Sequence, residues 1–214
     1  IGAGPGGYVA AIRAAQLGMR TAVVEKSELG GICLNWGCIP TKALLKTADT
    51  LRLVRKSKTY GIEVGQVNIN FNVAVERSRA VAGQLQKGVS HLMKKNGVTV
   101  IKGHAQVQGE GRLLVNNAGS HSIVVARHII VATGSRARSL PMFESGAKGV
   151  WYYKDALIPQ SLPKRLLVVG AGAIGLEFAS FYHAMGSQVD IVEMNERILP
   201  AEDEEISAFV KSSL

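Results

Sequence analysis

The residues whose types and spacing carry chemistry lie in one stretch, GGICLNWGCIPTK, from Gly30 to Lys42. It holds both cysteines of the chain, Cys33 and Cys38, with four residues between them, and Pro40 and Thr41 open what reads as a helix, TKALLKTADTLRLV. A C-x2-C pair would point to a zinc knuckle or a thioredoxin-like site. The longer C-x4-C spacing, with no further cysteine, does not supply four zinc ligands, so no metal site is expected. Redox exchange fits better: a cysteine at a helix N-terminus has its thiolate stabilised by the helix dipole and by unpaired backbone N–H groups, which lowers its pKa. Cys38 stands at that position. The plain alternative is two unconnected buried thiols, the common fate of isolated cysteines in an intracellular protein.

Two glycine patterns flank this stretch and bear on that choice. Residues 1–26 read IGAGPGGYVAAIRAAQLGMRTAVVEK, in which Gly2, Gly4 and Gly7 form G-x-G-x-x-G ahead of a helical segment, and an apolar strand then ends in Glu25. Each part has a role in holding a dinucleotide. Gly2 permits the tight turn, Gly4 admits the pyrophosphate to the backbone, Gly7 lets helix and strand pack closely, and the acid accepts from ribose hydroxyls. Residues 165–194 repeat the unit as RLLVVGAGAIGLEFASFYHAMGSQVDIVEM, with Gly170, Gly172 and Gly175 after a clear strand and Glu193 at the end of the next. First glycine and terminal acid are 23 residues apart in both copies, and Gly18 aligns with Gly186. The full pattern of strand, turn, helix and acid is far more specific than the glycines alone. A carboxylate at Glu193 would repel a 2′-phosphate and accept from a 2′-hydroxyl, which favours NAD over NADP.

Other elements must position these parts. The helix after the cysteines continues to about residue 58. A second long helix spans Asn72 to Lys95, with an apolar stripe through Val73, Val81, Leu85, Val89 and Leu92. Short alternating strands follow at VTVIKG, HAQVQ, RLLV and SIVVA, and HIIVATGS (His128 to Ser135) reads as a buried strand ending in a glycine turn. Such a turn brings backbone amides against a cofactor, though an ordinary strand end has the same form. Pro141, Pro159 and Pro163 mark the crossing into the second unit, placed between Ser139 and Arg165.

A chain of 214 residues accommodates one sizeable core or two smaller domains. No apolar run is long enough for a membrane span. Two cysteines are too few for a secreted disulfide framework, which points to a reducing compartment. The net charge of +9 is spread through Arg52, Arg55, Lys56, Lys58, Lys87, Lys94, Lys95 and Lys102 without interleaved aromatics, so it reads as a solvated surface and not as a nucleic-acid footprint. Ile1 stands directly before the glycine turn with no leading strand, which reads as a piece of a longer chain.

A redox cysteine pair after a first nucleotide unit, an ATG turn, then a second nucleotide unit: this order resembles the flavin-dependent pyridine nucleotide-disulfide oxidoreductases over essentially the whole chain. GGICLNWGCIPTKALL most resembles the lipoamide-oxidising branch, with its pattern GG-x-CLN-x-GCIP(S/T)KALL. Glutathione and mercuric reductases usually carry Val after the first cysteine. Trp36 departs from the commoner Val.

The resemblance implies an α/β fold of two Rossmann-like units with parallel sheets in three layers and an inserted β meander. It places an FAD-binding domain over residues 1–140 and the first part of an NAD-binding domain over 141–214. FAD would be held by Gly2, Gly4, Gly7, Glu25 and Lys26, with Gly31, Cys33 and Lys42 near the flavin, Ala105 near the adenine, and Thr133, Gly134 and Ser135 along the cofactor. NAD would be held by Gly170, Gly172, Gly175 and Glu193. The resemblance also implies a Cys33–Cys38 disulfide in which Cys38 faces the flavin and Cys33 exchanges with substrate, and a Lys42–Glu177 ion pair beside the flavin. Implied partners are the lipoyl domains of 2-oxo acid dehydrogenase or glycine cleavage complexes and a second copy of the full-length protein. The implied compartment is the bacterial cytoplasm or, in a eukaryote, the mitochondrial matrix. The family's proton-accepting His, oriented by a Glu of a C-terminal interface domain, has no counterpart motif: His91, His104, His121, His128 and His183 read as structural or surface residues, so this chain alone is expected to be inactive. The alternatives are another flavin disulfide reductase using NADPH, or a non-enzymatic flavin-binding redox segment.

Overall fold

The computed structural model describes residues 1–143 and 147–214; residues 144–146, inside the expected crossing between 139 and 165, lie outside it. The chain forms two compact units, Ile1–Pro40 with Arg79–Lys154, and Thr41–Ser78 with Asp155–Leu214.

In the first unit, α1 (Pro5–Gln16) begins with Pro at its first turn, where a missing N–H costs nothing and the fixed φ suits the helix. Its alanine-rich body packs on β1 (Ala22–Glu25), which pairs in parallel with β2 (Thr99–Lys102) in the register Val23 to Val100 and Glu25 to Lys102. The extended residues Ile1–Ala3 run along the other side of β1, Gly2 N–H donating to Val24 O at 2.8 Å. The core between helices and sheet is Ala3, Ala11, Val23, Leu34, Val89, Met93 and Val98. A meander of β3 (His104–Gly109), β4 (Arg112–Asn117) and β5 (Ser120–Val125) pairs antiparallel throughout, and Leu113 and Val115 bury against Val24. The cysteines sit on α2 (Gly31–Trp36) and at the start of α3 (Cys38–Arg55), a helix that carries on into the second unit.

After a short helix, α5 (Tyr153–Leu157), the second unit holds a β-α-β repeat: β6 (Arg165–Val169), α6 (Ala173–Met185) and β7 (Gln188–Val192), with β6 and β7 parallel. The face of α6 is anchored by Phe181 and Tyr182, whose rings meet edge to face at 5.2 Å, with Phe71 stacked on Phe181 at 6.0 Å. Burial pushes the Tyr182 phenol pKa up, and its hydroxyl donates to Ala156 O at 2.7 Å. A last helix, α7 (Glu204–Ser212), is capped by the Asp203 side chain, which accepts from Glu205 N–H. Among the described residues no helix is long and apolar enough to cross a membrane.

Two expectations are corrected here. The helix α4 runs from Phe71 to Lys95, but Val73, Leu85 and Leu92 are exposed, and its buried positions are Ala74, Ser78, Ala82, Val89 and Met93. The buried face carries several small residues, and a stripe drawn through the larger apolar residues misses it. The segment His128–Ser135 is neither buried nor a regular strand: Ile130 and Val131 are 60% and 63% exposed. It is tied to Ile1 by two hydrogen bonds, from Ile1 N to Ile130 O and from Ala132 N–H to Ile1 O.

Candidate functional site

The two glycine turns superimpose in their logic down to single bonds. Gly2 and Gly170 take φ of +95° and +106°, a conformation that a residue with a Cβ rarely adopts. A Cβ on Gly7 would stand 1.8 Å from Gly2 O, and one on Gly175 would stand 2.1 Å from Gly170 O, so the third glycine of each motif is demanded by contact between helix and turn. The middle glycine is different. Gly4 (φ −71°, ψ −175°) and Gly172 (φ −75°, ψ 176°) have backbones open to any residue. A Cβ on Gly4 would meet nothing closer than Gly31 Cα at 3.8 Å, and one on Gly172 nothing within 4 Å. Neither strain nor packing calls for glycine there. An absent side chain at an uncapped helix N-terminus leaves room for an anion on the free N–H groups.

The acids close these turns. Glu25 Oε2 accepts from Ala3 N–H at 2.7 Å, and Glu193 Oε2 accepts from Ala171 N–H at 2.8 Å. The second oxygen of each accepts from the chain just beyond, Ser27 N–H and Asn195 N–H respectively. The N–H groups of Asn195 and then Ala171 hold the Glu193 pKa below the ordinary carboxylate value. In the first unit a cleft of about 150 Å³ opens beside this tie, lined by Gly2, Glu25, Lys26, Ala105 and Thr133 together with Ile1, Val24, Gly103 and His104.

The cysteine loop stands on the same unit. Cys33 and Cys38 are disulfide-bonded, with Cα atoms 4.8 Å apart. Cys38 is the first residue of the 18-residue α3, and its side chain is exposed, while Cys33 is half-buried. Asn35 is buried and donates to Leu29 O and Gly31 O, which fixes α2 over the preceding loop. Gly31 meets Gly4: a Cβ on Gly31 would lie 2.6 Å from Gly4 Cα, so the cysteine loop and the first glycine turn are in backbone contact. In the second unit Lys42 Nζ pairs with Glu177 Oε1 at 2.7 Å, the side chains being 61% and 27% exposed. Among the described residues no group of His, Cys, Asp and Glu forms a metal site.

A family model described as pyridine nucleotide-disulphide oxidoreductase matches residues 1–214. The chain belongs to that family. Similar proteins include the dihydrolipoyl dehydrogenases of Zymomonas mobilis, 50% identical over 98% of this chain and 45% of the relative, and of Rhizobium etli, 47% identical over 100% and 48%. The chain thus spans about half the length of the curated relatives it matches. Among solved structures, LpdA from Mycobacterium tuberculosis aligns with a TM-score of 0.92 at 26% identity, over 100% of this chain and 48% of that one. The Cu(II) complex of the HOCl-induced flavoprotein disulfide reductase RclA from Escherichia coli aligns at 0.83 and 28% identity, over 99% and 45%.

For this pyridine nucleotide-disulphide oxidoreductase, the structure gathers five of the expected cofactor residues around one cleft, joins the two cysteines, and pairs Lys42 with Glu177. Gly134 and Ser135 follow Thr133 on exposed backbone and do not line the cleft. Residues that sequence reasoning missed are Gly103 and His104 in the cleft, and Glu28, Arg79 and Lys154, which surround Trp36. The strand preceding Gly103 was a signal for the first two. No short-range pattern announces the last three.

Proposed function

We propose that this chain is the cofactor-binding and disulfide-bearing part of a dihydrolipoyl dehydrogenase, which oxidises protein-bound dihydrolipoamide with NAD+ as the final acceptor. The observation that carries the reading is the Cys33–Cys38 disulfide at the start of α3, touching through Gly31 a glycine turn whose middle position is kept bare for a ligand. FAD belongs to the domain of residues 1–140, through Gly2, Gly4, Gly7, Glu25, Lys26, Gly31, Ala105 and Thr133 to Ser135; NAD belongs to the domain beginning at residue 141, through Gly170, Gly172, Gly175 and Glu193. Glu25 accepts one backbone N–H bond on each oxygen and keeps a lone pair on each for ribose hydroxyls, whereas Glu193 Oε1 accepts from both Asn195 N–H and Asn195 Nδ2, so its spare lone pair is on Oε2.

The chain's own residues supply the sulfur chemistry. A thiolate of dihydrolipoamide attacks Cys33 Sγ, the Cys33–Cys38 bond breaks, and Cys38 leaves as a thiolate favoured by the N-terminus of α3. The second substrate thiolate attacks the mixed disulfide, closing the lipoamide ring and freeing Cys33. Two electrons then rest on the cysteine pair. FAD, which Gly2, Gly4, Gly7, Glu25 and Lys26 would hold, would supply the two-electron acceptor between this cysteine pair and NAD+. Lys42, paired with Glu177, carries a fixed positive charge four residues along α3 from Cys38. The proton taken from the dithiol goes to a His–Glu pair outside these 214 residues. Lipoyl domains of 2-oxo acid dehydrogenase or glycine cleavage complexes are the partners, and the full-length protein is a homodimer of the bacterial cytoplasm or mitochondrial matrix.

The test is Cys38→Ser in the full-length protein: flavin stays bound, and dihydrolipoamide oxidation with NAD+ is lost. Unchanged turnover would refute the scheme, and a preference for NADPH and glutathione disulfide would redirect it to another reductase.

A further inference from the structure

The redox pair has a fastening that the chemistry above does not use. Trp36 ends α2, and α2 joins α3 through Gly37 alone, so the distance between the two sulfurs depends on how firmly the end of α2 is held. Three contacts hold it. Trp36 Nε1–H donates to Glu28 Oε2 at 2.6 Å. The Arg79 guanidinium lies over the Trp36 ring, 4.1 Å from its centroid, and donates to the Asn35 carbonyl at the C-terminal end of the helix. The Lys154 ammonium lies 5.1 Å from the same centroid. Arg79 is half-buried, its pKa lowered by desolvation and raised in part by Glu28, so the indole face and the Asn35 carbonyl replace water that the guanidinium has lost.

We propose that Trp36 is a positioning residue of the redox pair: with Arg79 it fastens the end of α2 and so holds Cys33 where its sulfur closes on Cys38. The proposal rests on the reading of these cysteines as a redox couple. Reduction of the disulfide takes two electrons and two protons and returns two thiols. Whether the bond then re-forms depends on the effective concentration of one sulfur at the other, which a fastened loop raises. Freeing the end of α2 lowers that concentration and leaves the dithiol relatively favoured.

The measurement uses the purified full-length protein equilibrated in buffers of reduced and oxidised dithiothreitol, with alkylation of free thiols and mass spectrometry of the Cys33–Cys38 peptide. Each protein disulfide reduced consumes one dithiothreitol dithiol and yields one cyclic disulfide. Trp36→Leu, apolar but smaller and without π face or N–H, is expected to lower the equilibrium constant for the disulfide about tenfold, which is about 30 mV less negative for a two-electron couple. Trp36→Phe keeps an aromatic face for Arg79 and should stay within about twofold. Arg79→Met should shift in the same direction as Trp36→Leu, and the double variant should go no further than the larger single one. A shift below about threefold in Trp36→Leu, or equal shifts for Leu and Phe, overturns the proposal. Should Trp36→Leu not fold, Arg79→Met decides by the same threshold. Failure of the underlying reading shows differently, in a parent protein whose cysteine pair does not exchange with the buffer, and that result takes the proposal down with it.

Discussion

The third glycine of each turn and the middle one should respond oppositely to the same substitution. In Gly7→Ala the new methyl would lie 1.8 Å from Gly2 O and 2.8 Å from Gly2 C, both backbone atoms that cannot rotate away. Relief requires α1 to move off the turn, an overpacking that costs about 3 kcal/mol at the upper end of its usual range. Alanine returns about 1 kcal/mol of helix propensity. The net loss is about 2 kcal/mol, which for a chain of this size lowers the melting temperature by about 4–8 °C. Gly4→Ala meets only an ordinary contact at 3.8 Å. Its cost is that of a poorer N-cap, about 0.5 kcal/mol or about 1–2 °C. Yet on the proposed function it places a methyl where the pyrophosphate would lie. Thermal unfolding of the flavin-free protein, followed by titration with FAD, separates the two: Gly7→Ala melts early, and Gly4→Ala melts near the parent but fails to take up flavin. A Gly7→Ala protein as stable as the parent, or a Gly4→Ala protein that binds FAD normally, would refute the division of roles between the two glycines.

Lys42→Met removes one partner of a pair that is largely in solvent, so stability should change by less than about 1 kcal/mol in urea unfolding. On the proposed role of Lys42 as a charge beside the flavin, the flavin-reduction rate by dihydrolipoamide should nevertheless fall about tenfold or more in stopped-flow absorbance. The folded pKa of Glu193 is held below the ordinary carboxylate value, so its tie to the turn contributes fully above that value and is lost as pH falls through the folded one. The parent should therefore lose stability more steeply than Glu193→Gln as pH falls below the ordinary carboxylate value, measured by denaturant midpoints across an acid series.

The repeated turn could be read from sequence because each of its demands is local. The spacing from Gly2 to Glu25 recurs from Gly170 to Glu193, and both acids reach the amide one residue beyond the first glycine. Helix α3 and the meander were equally open to inspection, since their periods and turn residues lie within short windows. The inward face of α4 was not. Ala74, Ser78 and Ala82 carry little hydrophobicity of their own, yet they are buried. The surroundings of Trp36 were hidden for a similar reason: Arg79 and Lys154 lie 43 and 118 residues further along, and only the folded backbone brings them to the indole. His128–Ser135 misled in the other direction: an apolar run ending in glycine reads as an interior strand, yet Ile130 and Val131 are exposed.

The bond from Glu193 to Ala171 constrains anyone who would alter coenzyme preference in this scaffold. Trading that acid for a smaller or neutral residue to welcome an extra phosphate also unhooks the amide that shapes the turn. A successful swap must therefore restore an acceptor to Ala171 at the same time, and libraries that vary position 193 in isolation should yield mostly loosened turns and few reprogrammed ones.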